Sequence, residues 1–174
     1  MDTITVTHTH TPCGGMVLGA CGERLCLCDW EAGKRRQMNG HRIQRYFNAR
    51  FVKGDSPVLQ HAIIQLEEYF AGQRHRFDIA IALSGSDFQN RVWRELLSIP
   101  YGTVVSYGEL ATRVGSPHSA RAVAAACGAN PISIFVPCHR VIGSDRRLTG
   151  YGGGLETKRT LLELESGSQN LIFK

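Results

Sequence analysis

The chain has 174 residues, 43% hydrophobic and 20% charged, the proportions of a globular protein of one generous domain or two small ones. No apolar run approaches the roughly 20 residues that span a bilayer, and MDTITVTHTHTPCGG has neither the basic start nor the apolar stretch of a secretory signal, so an intracellular protein without a membrane partner is expected. A formal charge of +5 favours a polyanionic partner, DNA first, only slightly over a protein that is simply basic.

From Ile4 to Trp30 short apolar pieces alternate with Gly and Pro breaks. Met16-Val17-Leu18 and Leu25-Cys26-Leu27-Cys28 read as two strands joined by a turn near Gly22. Residues 34–50 are polar and basic, and Ile43, Tyr46 and Phe47 mark the buried edge of a helix. Ser56-Pro57 opens a clearer helix, with Val58, Ile63, Leu66 and Phe70 at near-helical spacing and Gly72 closing it. Phe77 to Leu83 alternates like another strand.

After Leu83 the texture changes. Ser86 or Asp87 caps a helix carrying Phe88, Val92, Trp93, Leu96 and Leu97, and Pro100 follows its end. Thr103 to Ser106 is short and extended, and Ser106-Tyr107-Gly108-Glu109 has the spacing of a capping box. The helix it opens ends near Gly115, and Ser116-Pro117 starts another that runs to Gly128. Two short helices joined by a Gly-containing turn are a candidate helix-turn-helix. The second is poor in large side chains, which suits close approach to a groove; alanines packed on another helix explain it equally well. The expected class is α+β: a small N-terminal α/β domain with an antiparallel sheet (residues 1–84), then a mainly helical C-terminal domain with the helix-turn-helix and an active-site loop (residues 85–174).

Six cysteines in two unlike groups argue against a disulfide framework, so each is a core residue, a metal ligand or a nucleophile. Ile132 to Pro137 is mostly apolar and leads straight into Cys138-His139-Arg140. A thiol at the end of a buried strand is rigidly held, and an adjacent histidine is the usual means of making it a thiolate. A buried structural cysteine with a chance histidine neighbour stands on equal terms with that reading.

Gly128-Ala129-Asn130-Pro131, then Val136-Pro137-Cys138-His139-Arg140-Val141, then Gly150-Tyr151-Gly152-Gly153-Gly154-Leu155 give the chain a further property. From about Phe88 to Glu165 it closely resembles the O6-alkylguanine-DNA alkyltransferases, in order and spacing; the N-terminal half resembles them loosely. The resemblance implies direct-reversal repair: the alkyl group of O6-alkylguanine, and of O4-alkylthymine, moves irreversibly to Cys138. It implies His139 as base through a bridging water, oriented by Glu165, and Asn130 bracing the turn before the acceptor. Tyr107 would donate to N3 of the departing guanine. Arg121 would fill the gap left by the flipped base, with Ser119, Ala120 and Ala122 beside it on the DNA. Tyr151, Gly152, Gly153, Val136 and Pro131 would form the base pocket. The implied partner is double-stranded DNA carrying alkylated bases, held by its minor groove and bound by a monomer in the cytoplasm, the nucleoid or the nucleus.

No organic cofactor is implied. Some relatives hold a structural zinc near positions matching Cys21 and Cys26; here Asp2 takes one further place, and His61 and His75 are only candidates for the last, so buried thiols are the preferred reading. A non-catalytic binder of alkylated DNA is the alternative function, and it requires Cys138 to be inert. A cysteine hydrolase is a second rival, and a basic helix-turn-helix has no place in one.

Overall fold

The structure, a computed structural model, describes residues 1–167. Two compact units divide the chain, Met1–Gly85 together with Pro131–Ser133, and Ser86–Asn130 together with the residues from Ile134 on.

The first unit is built on a four-stranded sheet in the order β3-β2-β1-β4. Its strands are β1 (Asp2–Thr11), β2 (Gly14–Cys21), β3 (Arg24–Trp30) and β4 (Ala49–Lys53). β1, β2 and β3 form an antiparallel meander, and β4 adds parallel to β1. The expected hairpin is β2–β3; β1 and β4 were not foreseen. β1 alternates threonine and histidine with few large apolar residues, so it lacks the hydrophobic period that identifies a strand. Its β-branched content still fits a pleated surface. Phe77 to Leu83 is not a strand either. It makes one isolated parallel bridge, Leu25 to Ile81, with hydrogen bonds from Leu25 N to the Ala80 carbonyl and from Ala82 N to the Leu25 carbonyl.

Helix α1 (Arg36–Phe47) buries Asn39, Gly40 and Ile43, whereas Tyr46, expected at its buried edge, is exposed. Gly40 is where α1 nears the sheet: a Cβ there would lie 3.2 Å from the Phe51 ring. Helix α2 (Pro57–Phe70) starts as expected, with Ser56 as cap and Pro57 in the first turn. Its buried stripe is Leu59, Ala62, Leu66 and Tyr69 rather than Val58, Ile63 and Phe70. Both sets fit a helical period, and only the partner surface chooses between them. Asp29 is the buried carboxylate of this unit, accepting from Asn39 Nδ2 at 3.0 Å and from Trp30 N at 2.9 Å.

The second unit is helical. Helix α3 (Asp87–Leu96) is opened by a complete Ser86–Gln89 capping box and buries Val92, Trp93 and Leu96, leaving Phe88 half-buried and Leu97 exposed. Trp93 is fully buried, and its Nε1 donates to the Ala126 carbonyl at 2.8 Å, which pins α3 to α5 (Ala120–Gly128). Between them in sequence are β5 (Val105–Ser106) and α4 (Tyr107–Arg113), the latter opened by the expected Ser106–Glu109 box. β5 pairs parallel with β6 (Val141–Ile142), and the final helix is α6 (Leu155–Ser166).

The helix-turn-helix is α4 and α5. The second helix begins at Ala120 instead of Ser116, because residues 116–119 close a turn in which Ser119 N donates to the Ser116 carbonyl at 2.9 Å. A larger correction concerns Ile132 to Pro137, which is buried but is not a strand. Ile132 bridges to Cys28 within the first unit, and Ile134 adopts a φ of 72°, a value rarely taken by a β-branched residue.

Because Ser86 supplies one half of a two-way cap, Ser86→Ala should cost about 1 kcal/mol of stability, read from the midpoint of urea unfolding. An unchanged midpoint would mean that α3 is held by Trp93 alone.

Candidate active site

Cys138 opens a one-turn 3-10 helix, Cys138–Arg140, whose three residues are all buried. The turn places three consecutive side chains in different surroundings. Cys138 Sγ receives a hydrogen bond from Asn130 Nδ2 at 3.2 Å, and the same amide nitrogen donates to the Val136 carbonyl at 2.9 Å. Asn130 therefore fixes both the thiol and the backbone that leads to it. It lies two residues beyond the end of α5, where its own N–H caps back to the Cys127 carbonyl at 3.2 Å.

His139 is fully buried, and its Nε2 faces Glu165 Oε1 at 2.7 Å. Glu165 projects from α6 and is itself only 6% exposed. Arg140 completes the cluster: Nε donates to Glu165 Oε2 at 2.8 Å, one terminal nitrogen to Oε1 at 3.0 Å, and the other to the Ile99 carbonyl at 2.7 Å. Gly102 N reaches Oε2 at 3.3 Å. Gly102 holds a φ of 76°, and a Cβ there would stand 3.1 Å from the Glu165 carbonyl oxygen, so glycine suits that turn on two counts.

The electrostatics follow. Burial works to raise the Glu165 pKa, but His139 and Arg140 outweigh it, and the carboxyl is held well below its ordinary range. Burial pulls His139 down despite Glu165, so its neutral form prevails near pH 7. Glu165 can only accept, so the proton of that neutral imidazole sits on Nε2. Nδ1 then carries a lone pair, and it makes no hydrogen bond to any described group. A buried basic nitrogen, one residue from a thiol and backed by a carboxylate, is the nucleophile–base–orienter arrangement.

The Tyr107 hydroxyl donates to the Thr149 carbonyl at 3.0 Å, and burial pushes its pKa up to about 12. Tyr151 sets its ring edge-on to His139, with centroids 6.5 Å apart. Gly152 and Gly153 form the turn after it, closed by Gly154 N donating to the Tyr151 carbonyl at 3.0 Å. Val136 is buried and meets Asn130 through its carbonyl. Pro131, expected beside it, belongs to the first unit, where its carbonyl accepts from Cys28 N at 2.9 Å. Ser119, Ala120, Arg121 and Ala122 occupy the start of α5, away from the buried cluster; Arg121 and Ala122 are exposed, and Ser119 and Ala120 are half-exposed.

Two residues of this site were not anticipated. Arg140 stands in the same tetrapeptide as Cys138, and a charged residue next to a buried thiol was a legible sign that a buried partner awaited it. Lys158 is fully buried in α6, and nothing in the local pattern LETKRTLLELES distinguishes it from its exposed neighbours.

The residues considered for zinc do not assemble. Among the described residues no group of three or more His, Cys, Asp or Glu could hold a metal ion. Asp2 pairs with Ala49 at one end of β1, His61 is on α2, and His75 lies in the segment after it. Burial pushes Cys26 up to about 12 and Cys28 well above the ordinary thiol value. Cys26 donates to the Gly19 carbonyl at 3.4 Å, as a packed thiol does.

Glu165→Gln leaves Arg140 buried beside an uncharged amide and should cost about 3 to 5 kcal/mol at neutral pH, measured by denaturant unfolding. Because the folded-state pKa of Glu165 is depressed, its stabilisation is complete above the unfolded value of about 4.3 and is lost as pH falls towards the folded one. The gap between variant and parent should therefore narrow in acid; a gap that widened would reject the ionised cluster.

Two family models match: the ribonuclease-like domain of 6-O-methylguanine DNA methyltransferase over residues 4–83, and its DNA binding domain over residues 87–167. A methylated-DNA--protein-cysteine methyltransferase of Haemophilus influenzae is 40% identical over 95% of this chain and 88% of its own length. One from Mycobacterium tuberculosis is 57% identical over 64% of this chain and 67% of its own length. The crystal structure of Mycobacterium tuberculosis OGT in complex with DNA superposes with a TM-score of 0.81 at 42% identity, covering 94% of this chain and 93% of that one. With both halves matched in order and a relative aligned along nearly its whole length, the chain belongs to the 6-O-methylguanine DNA methyltransferase family.

Proposed function

We propose that the protein reverses DNA alkylation directly, moving the alkyl group from O6 of guanine, and from O4 of thymine, onto Cys138 in a single turnover. The observation that carries this is the buried line Asn130–Cys138 and His139–Glu165–Arg140, which positions a thiol and a base without other machinery. His139 Nδ1 takes the thiol proton through a bridging water, and Glu165 stabilises the imidazolium that results. Asn130 donates to the thiolate. Sulfur then attacks the alkyl carbon, the carbon–O6 bond breaks, and Tyr107 protonates N3 as guanine departs. A thioether remains, and the site offers no group to hydrolyse it, so the protein is consumed; the family works without a cofactor.

O6 of guanine is buried in a duplex, and in-line attack requires the base to be turned out of the stack. Exposed Arg121 on the first turn of α5 suits the gap, and the small side chains around it let the helix lie in the minor groove. Contacts of this kind go to the backbone and tolerate sequence. A monomer is sufficient, at work wherever the DNA lies: cytoplasm, nucleoid or nucleus. Among the described residues no helix is long and apolar enough to cross a membrane. The rival reading, a binder that flips lesions without repairing them, has no use for a thiol hydrogen-bonded by Asn130.

Incubation with a duplex containing O6-methylguanine should add one methyl group to the intact mass, mapped to Cys138, and Cys138→Ala should abolish the gain while binding survives. Binding without a mass gain in the parent protein would favour the lesion binder. Arg121→Ala should slow repair of duplex far more than reaction with the free base; equal losses would remove Arg121 from the stack. Affinity should fall steeply with salt, as phosphate contacts require.

A further inference from the structure

Lys158 is a buried charge that the reaction above does not use. Its side chain is fully buried, yet it forms no ion pair with a carboxylate among the described residues. Neutral oxygens hold it instead: Nζ donates to the Thr149 carbonyl at 3.0 Å, to the Gly150 carbonyl at 3.4 Å and to the Tyr107 hydroxyl at 3.5 Å. It also lies 5.7 Å from the centre of the Tyr107 ring. Desolvating an ammonium without a counter-ion is strongly unfavourable, and an apolar side chain of equal length would fill the same space. Packing alone does not explain the charge.

The shared carbonyl suggests its use. Thr149 O accepts from both the Tyr107 hydroxyl and Lys158. When Tyr107 turns its proton to a substrate nitrogen, Lys158 still serves that carbonyl, and no buried acceptor is orphaned. The phenol oxygen also keeps a cation beside it.

We infer that Lys158 is the positioning residue behind Tyr107: it holds the Thr149–Gly150 turn and stabilises the phenolate that forms as Tyr107 protonates the leaving guanine. This rests on the alkyl-transfer reading. The sulfur–carbon bond forms, and the pair from the broken carbon–O6 bond enters the purine. The Tyr107 proton goes to N3, and an ammonium proton of Lys158 passes to the phenolate oxygen. The thiol proton resides on His139, so the protein ends with imidazolium and neutral amine, and solvent restores both.

The test is a double-mutant cycle in single-turnover repair of an O6-methylguanine duplex, with Lys158→Met, Tyr107→Phe and the pair. Lys158→Met should lower the saturating rate constant roughly 10- to 100-fold, within the range of proton-transfer assistance, and leave the half-saturating duplex concentration unchanged. In the Tyr107→Phe background it should cost nothing further, because the group through which it acts is gone. Equal losses in both backgrounds would make Lys158 a packing residue and overturn the inference, as would an unchanged rate. Should the methionine variant not fold, Lys158→Gln keeps a donor for the carbonyls without the charge; a parental rate there would be equally fatal. Failure of the alkyl-transfer reading is visible separately, as a parent protein that gains no methyl group.

Discussion

The second unit depends on one buried carboxylate. Glu165 receives His139 and Arg140 from a single 3-10 turn and the amide of Gly102 from the loop after α3, so one side chain ties α6 to two other segments. Charges this deep are tolerated only when nearly every acceptor is satisfied, and here both oxygens are shared between donors. The same satisfaction has a chemical consequence. With Glu165 ionised, the proton of His139 is confined to Nε2, and the nitrogen left basic is the one not engaged in structure. Stability and reactivity therefore rest on the same contact.

Around that contact the site is assembled from rigid parts. Asn130 braces the thiol from the end of α5, so the helix that carries Arg121 and the residue that steadies the nucleophile are two ends of one element. A lesion seated by the start of α5 and a thiol steadied at its end would share a frame, which is what a reaction limited by in-line geometry needs. Lys158 extends the frame to the opposite side of the proposed base pocket through Thr149 and Tyr107. On this reading the reaction is assisted at both ends: Asn130 and His139 prepare the sulfur, and Tyr107 and Lys158 receive the guanine.

The limits of sequence reading differ from element to element. Helices α3 and α4 announce themselves because their capping boxes are local and chemically specific. β1 does not, since its alternation lacks large apolar residues. The segment before Cys138 shows the opposite failure: an apolar run reads as a strand, but the positive φ at Ile134 breaks the extended path. In α2 the pattern had the correct period and the wrong phase.

For the site, the residues that meet through sequence neighbours were legible. Cys138, His139 and Arg140 are consecutive, and their chemistry is visible in one tetrapeptide, as are Ser106–Glu109 and the glycines around Tyr151. The family resemblance then named Asn130, Glu165, Tyr107 and Arg121, which local pattern alone leaves as a turn amide, a surface acid, a helix-start residue and an exposed base. What only the tertiary structure decided is which charged groups are buried. Glu165, Arg140 and Lys158 look like solvated residues in the sequence, because burial is a property of the surface that closes over them. It is that closure, removing water from three charges at once, which makes one a fixed anchor, one its counter-ion and one an ammonium held by neutral oxygens.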